Sequence, residues 1–274
     1  MQHQFSTDQP VSLYVEIGRG SVTVEAVETA ETVVEVTGAE ADRVSVGQSG
    51  RQIAIVAPRH SGFGGGRDQG VEVVVTVPLD SDLLTKLGSA DTIARGRYGI
   101  AKLKSGSGNI LLDQATGVVV VDTGSGDTEL MTVGGDLRVK SGSGDVRIGT
   151  AAGSVGISTG SGDVRIGTTN AAAVLKTGSG DLTVQRAETD LSLSTASGDL
   201  EVGRFSRGGL RAKSASGDVR IGIPRGVPVW TDITSVSGRV GSDLEPTGQP
   251  AEGQEHAEVR ATTVSGDVVL RQLS

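Results

Sequence analysis

The chain has 274 residues, of which 42 are Gly, 36% are hydrophobic and only 2% are aromatic, with no Cys and a formal net charge of −8. A core must therefore be assembled from branched aliphatics, disulfides and thiolate metal sites are excluded, and an acidic balance without a basic run argues against nucleic acid or an anionic membrane surface as partner. The opening MQHQFSTDQPVSLYVEIG lacks a basic segment followed by an apolar one, and no stretch approaches the roughly 18 apolar residues of a membrane span, so the expected location is cytoplasmic, with no membrane insertion.

Residues 1–87 read as a β-rich N-terminal cap together with the first coils of a repeat. Alternating runs at 11–17, 21–27, 32–37, 51–57 and 71–77 predict strands joined by polar loops, and GRGSVTV (18–24) already resembles a degenerate turn followed by a strand. The glycine-rich RHSGFGGGRDQG at 59–70 matches neither phosphate-binding glycine pattern and reads as a hairpin connection.

From Asp91 to Asp199 an acidic or amide residue recurs every 18 positions, at Asp91, Asn109, Asp127, Asp145, Asp163, Asp181 and Asp199, and the pattern continues more loosely at Asp218, Arg239 and Asp267. Counted from that residue, aliphatics fall at +1 and +3 (Val146 and Ile148; Val164 and Ile166) and at +10 and +12 (Val155 and Ile157; Leu191 and Leu193). A spacing of two puts both members of a pair on one face of a strand, so each unit holds two strands on opposed sides of a coil. A three-sided hexapeptide helix would need an aliphatic every six residues, and that mark is absent. The fold class is all-β: residues 88–274 form a single-chain parallel β-solenoid of two-strand coils, for which parallel crossovers favour right-handed winding.

The recurring turn carries Gly before the Asp position, from Gly108 to Gly266, with Ser before that Gly. Two before the Gly, the chain accepts Gly106, Ala196, Ala215, Val236 or Val264, so only the first position demands glycine, for a positive φ or a close backbone approach. A Ser or Thr series (Ser105, Thr123, Ser141, Thr159, Thr177, Thr195, Ser214, Ser235, Thr263) is expected to form hydroxyl ladders that satisfy backbone groups at the corner. Near the end, the spacing stretches to 28 residues between Arg239 and Asp267, making room for a surface loop at 242–258 with five acids and no Lys or Arg. That loop either leans over the last coil or recognises a partner. The chain stops at Arg271–Ser274, where the last coil would leave a pairable edge.

The tandem SGSGDVRIG units, the preceding β-rich segment and the ending TTVSGDVVLRQLS resemble the bacterial putative-adhesin family of β-strand-repeat proteins, a domain-of-unknown-function group related to the head GIN domain proteins. The resemblance covers nearly the whole chain. It implies a parallel β-solenoid without established catalytic residues and, in some relatives, a link to the cell envelope.

No residue stands out as catalytic, cofactor-binding or metal-ligating. A calcium β-roll fails on register, because in SGSGDVRIG the Asp falls one place early and Val takes the ligand position; the Asp series reads instead as turn residues, relieved by Arg147, Arg165 and Arg220 two places on. A polysaccharide-cleaving β-helix would need clustered acids or bases and aromatic platforms. His3, His60 and His256 lie outside the repeat core, Trp230 and Tyr98 read as packing or cap residues, and the outward column Leu111, Glu129, Arg147, Arg165, Thr183, Glu201 and Arg220 mixes its chemistry. The second-strand outward positions Asp136, Arg138, Lys140, Ser154, Gly156 and Ser158 do not form the Thr grid of an ice binder. The sequence is left with a non-enzymatic scaffold or binding module for a protein or envelope component, with end-to-end filament formation through terminal coils as the alternative to a monomer.

Overall fold

The computed structural model describes residues 1–58, 70–245 and 255–274, and among them the only helix is one 3-10 turn, Ala41–Arg43. No helix among them is long and apolar enough to cross a membrane. The 59–70 loop, apart from Gly70, and most of the 242–258 loop lie outside the described residues.

The chain forms two compact units, Met1–Gly135 and Asp136–Ser274. The first contains β1 (Gln2–Ser6), β2 (Ser12–Ile17), β3 (Gly20–Val27), β4 (Glu31–Thr37), β5 (Ser45–Ser49), β6 (Gln52–Val56), β7 (Val71–Pro78), β8 (Asp82–Leu87), β9 (Asp91–Tyr98), β10 (Ala101–Ser105), β11 (Ile110–Ala115), β12 (Val119–Thr123) and β13 (Thr128–Val133). The second contains β14 (Leu137–Ser141), β15 (Val146–Ala151), β16 (Val155–Thr159), β17 (Val164–Thr169), β18 (Ala173–Thr177), β19 (Leu182–Ala187), β20 (Leu191–Ser197), β21 (Leu200–Phe205), β22 (Gly208–Ser216), β23 (Val219–Pro224), β24 (Val229–Ser235), β25 (Val240–Ser242), β26 (Ala257–Ser265) and β27 (Val268–Leu273). In each unit one strand of a coil enters a sheet A and the other a sheet B.

The register is that of a solenoid. In sheet A of the second unit Val146 faces Val164, then Leu182, Leu200, Val219 and Val268; in sheet B Leu137 faces Val155, then Ala173, Leu191, Leu210 and Val259. Side chains alternate in and out, so each such column is buried and its strand neighbours are exposed. The aliphatics expected at +1, +3, +10 and +12 are the core, and a third inward position at +6 joins them, held by Ala115 and Val133 in the first unit and by Ala151, Thr169, Ala187 and Phe205 in the second. Small residues take most of these positions, which hides them from a reading based on large aliphatics.

The expected strands of the first 87 residues are all present, and β1, β5 and β8 add to them. The antiparallel pairs β1–β4, β4–β7 and β5–β6 sit outermost among the described strands of this unit, whereas β2–β6 and β3–β7 are parallel coil contacts. Ser21 pairs with Asp91, so GRGSVTV is indeed a solenoid turn and strand. The coil β2/β3 lies between β6/β7 and β8/β9, out of chain order.

The second unit corrects the expectation about the last coil. β26/β27 does not end the stack: it is slotted between β22/β23 and β24/β25, and is paired on both sides. Among the described residues the outermost strands are therefore β24 and β25, from residues 229–242. The described flanks of the 242–258 loop are tied along the outer coils: Gln272 N–H donates to Asp243 Oδ1 at 2.6 Å, Glu245 N–H to Gln272 Oε1 at 3.1 Å, and Arg207 pairs with Glu255 at 2.6 Å.

Candidate functional site

The corner that repeats every coil is a structural device, and it accounts for most of the recurring letters. Within each unit the Asp-position side chain accepts the backbone N–H of its counterpart one coil on: Asn109 N–H to Asp91 Oδ1 at 2.7 Å and Asp127 N–H to Asn109 Oδ1 at 3.0 Å in the first unit. In the second unit Asp163, Asp181, Asp199, Asp218 and Asp267 continue the series at 2.8–3.0 Å, and Arg239 N–H ends it on Asp267 at 2.8 Å. The second carboxylate oxygen is met by Arg two residues on, as at Arg147–Asp145 (2.8 Å), Arg165–Asp163 (2.7 Å) and Arg220–Asp218 (2.6 Å). Stacked carboxylates are thus neutralised twice, by aligned N–H dipoles and by guanidinium groups.

Glycine before the Asp is required by close approach: a Cβ on Gly108 or Gly126 would collide with the carbonyl of Ala90 or Gly108, and neither glycine has a left-handed φ. The other turn position departs from expectation. At Gly160 and Gly178 a Cβ would lie 2.6 Å from the carbonyl oxygen of the preceding coil, so glycine is needed there too in the middle coils, even though Ala196 and Ala215 stand there later. The hydroxyls do not bond one another along the corner. They bond backbone: Ser105 Oγ accepts Gly108 N–H at 2.9 Å, and Thr177 and Thr195 donate to Gly162 O and Gly180 O, each at 3.3 Å. Thr123 and Thr159, although buried, have no partner for the hydroxyl among the described residues.

The outer faces of the two sheets of the second unit differ in charge use. On sheet A the cations Arg147, Arg165 and Arg220 are engaged by the corner acids and Arg186 lies 4.0 Å from Glu188, while Arg204 and Arg271 have no ion-pair partner among the described residues. On sheet B, Arg138 and Lys140 of β14, Lys176 of β18, and Arg211 and Lys213 of β22 all point outward, are exposed and have no ion-pair partner among the described residues. Arg260 on the same face is engaged, 5.4 Å over the Trp230 ring and 3.9 Å from Glu258.

Between these cations the outward residues are small. Gly156 and Ser158 of β16 floor a furrow of about 470 Å³, walled by Arg138 and Lys140 on one side and Val174 and Lys176 on the other. A second furrow of about 340 Å³ runs over Ser192, between Val174 and Arg211, and also meets Glu258 and Arg260. Asp136 and Asp190 stand at the furrow ends, where Asp136 Oδ1 accepts Ser154 N–H at 3.0 Å and Asp190 Oδ1 accepts Gly209 N–H at 2.8 Å. These two carboxylates are turn residues of the second corner, so the walls of the first furrow are left to the cations.

The profile of one protein family, described as Toastrack DUF4097, matches residues 12–271. The chain belongs to the Toastrack DUF4097 family. No curated protein matches it. Among solved structures it is similar to a "putative adhesin" from Parabacteroides merdae, at 15% identity and a TM-score of 0.41, over 99% of this chain and 95% of that one. It is also similar to a "putative adhesin" from Bacteroides fragilis, at 12% identity and 0.39, over 99% and 96%, and to a "Putative lipid binding protein" from Parabacteroides distasonis, at 10% identity and 0.39, over 99% and 96%.

Among the described residues the histidines of this Toastrack chain lie apart, although His3 stacks on Phe5 at 6.3 Å. His3 lies on β1 in the first unit, His256 flanks Glu258 in the second at 3.9 Å, and His60 is outside the described residues. Tyr98 is a packing residue, buried with its hydroxyl donating to Val24 O at 2.8 Å, and desolvation raises its pKa well above the ordinary phenol value. Trp230 is not: it is 51% exposed, on the outer face of β24. The cationic face of sheet B escapes a reading of the sequence because its members come from strands many residues apart, with no basic run to announce them. The outward positions of Arg138 and Lys140 beside Gly156 and Ser158 are the one available signal.

Proposed function

We propose that this Toastrack chain is a non-catalytic binding scaffold whose contact surface is the outer face of sheet B in the second unit. The observation that carries this reading is the set of outward cations without ion pairs among the described residues, grouped around two furrows, in a chain of net charge −8 in which Arg147, Arg165 and Arg220 of sheet A are spent on corner acids. Charge left unpaired beside a concave surface favours an anionic partner through long-range attraction and desolvated pairing. The ladders supply rigidity, so the face is held in one geometry before a ligand arrives.

The partner in this reading is an anionic component of the cell envelope. Cosedimentation with a bacterial envelope fraction tests this: the wild-type chain is expected in the pellet, with retention falling at least tenfold in Arg138→Glu/Lys140→Glu/Lys176→Glu and unchanged in Arg204→Glu on sheet A. Equal retention of the first variant and the wild type would overturn the reading. Cell fractionation adds a second check, because an envelope ligand requires the protein with the envelope and not in the cytoplasm that the sequence alone leads one to expect.

A further inference from the structure

We propose that the furrow over Gly156 and Ser158 binds a linear acidic polysaccharide, with its carboxylates paired to Arg138, Lys140 and Lys176. This rests on the reading of sheet B as the binding face and gives that face a ligand class.

The furrow has the shape for one extended chain. Its walls stand on β14 and β18, two strand spacings or about 9.6 Å apart, and the five-residue strands run for about 17 Å, so a single linear polymer fits lengthwise, parallel to the strands. Side chains missing from the floor make this space: a Cβ on Gly156 would meet nothing nearer than Leu137 O at 4.0 Å. The charged groups of the walls are all cations, and Asp136 at the end is committed to Ser154 N–H, so a chain with repeated negative groups is attracted along the furrow and a cationic one is repelled.

Chemistry narrows the polyanion further. No Trp, Tyr or Phe lines the furrow, which removes the stacking platform that a single-stranded nucleic acid needs for its bases. The backbone of β16 is already paired on both sides, to β14 and β18, so an acidic peptide laid in the furrow would find no ladder partner for its own N–H and C=O groups. A lipid surface calls for several projecting apolar residues, whereas Val174, 43% exposed, stands among cations and small residues. A glycan keeps its hydroxyls in water on the open side and needs only its acidic groups matched.

Isothermal calorimetry on the full chain tests the proposal, with polygalacturonate as probe, and with dextran, oligo-dT and phosphatidylglycerol vesicles as competitors for the assignment. Polygalacturonate is expected to bind and dextran to give no heat. Affinity is expected to fall roughly tenfold or more as salt rises from about 50 to about 200 mM, because the paired cations release counterions. Arg138→Glu/Lys140→Glu/Lys176→Glu should weaken binding at least tenfold, and so should Gly156→Trp, which fills the furrow without changing its charge; unchanged melting curves show that both variants remain folded. Absence of polygalacturonate binding, binding insensitive to both variants, or tighter binding of oligo-dT or vesicles would overturn it. If polygalacturonate fails while envelope retention still depends on Arg138, Lys140 and Lys176, the ligand class falls and the binding face stands; if neither depends on them, both fall.

Discussion

At the scale of single residues, the corner Asp is valuable for its acceptor oxygen more than for its charge. Asn109 shows this within the chain, since its Oδ1 accepts Asp127 N–H as a carboxylate does elsewhere. Asp163→Asn is therefore expected to cost little, whereas Asp163→Ala leaves Asp181 N–H without its partner and should lower stability by about 1–3 kcal/mol, read from denaturant melts. Gly126→Ala should cost a similar amount, about 1–3 kcal/mol, because its Cβ meets the Gly108 carbonyl and the coils cannot part locally. A different residue sets a pH response. Asp80, at φ 62°, takes a two-pronged hydrogen bond from Arg97, both contacts at 2.7 Å, and that bond holds its carboxyl below the usual carboxylate range. A carboxylate depressed in the folded state stabilises above its unfolded pKa and loses that contribution as pH falls through the folded value. The pair is solvent-exposed, so Asp80→Asn should lower stability at neutral pH only slightly, with the difference from wild type vanishing in acid.

At the scale of elements, strand identity and strand order were unequally legible. The period placed inward and outward residues correctly because alternation is local: Val146 and Ile148 cannot both be buried unless Arg147 points out. Order is not local. In-register parallel pairing asks only that aliphatic columns match, and Val268 and Leu270 of β27 match Val219 and Ile221 as well as an additional outer strand would, so nothing in the letters announces that β26/β27 is slotted inside β24/β25. The slot has a measurable consequence. Among the described residues β24 and β25 each pair on one side only, and Val240, Gly241 and Ser242 are all exposed, so hydrogen exchange should be much faster in 229–242 than in β17, β19 or β26, which pair on both sides. Equal protection across these strands would contradict the strand order.

At the scale of the whole molecule, each unit's outermost strands bear on self-association. In the first unit they are antiparallel and short; in the second, β25 has three residues, and Arg239 stands where other coils carry an acceptor, so the corner ladder cannot be extended by another N–H. Sedimentation is accordingly expected to show a monomer that does not grow with concentration, and filaments would contradict this. Function was the least legible level. Arg138 and Lys140 share one face with Lys176, far along the sequence, only because every coil repeats its register, whereas composition reports the net acidity of the whole. The most direct test of the binding face is lysine acetylation followed by mass spectrometry, with and without polygalacturonate. Lys140 and Lys176 should be protected by the ligand, and Lys86, paired with Glu16 in the first unit, should be unaffected; protection that spares Lys140 and Lys176, or that falls equally on all lysines, would contradict a site on sheet B.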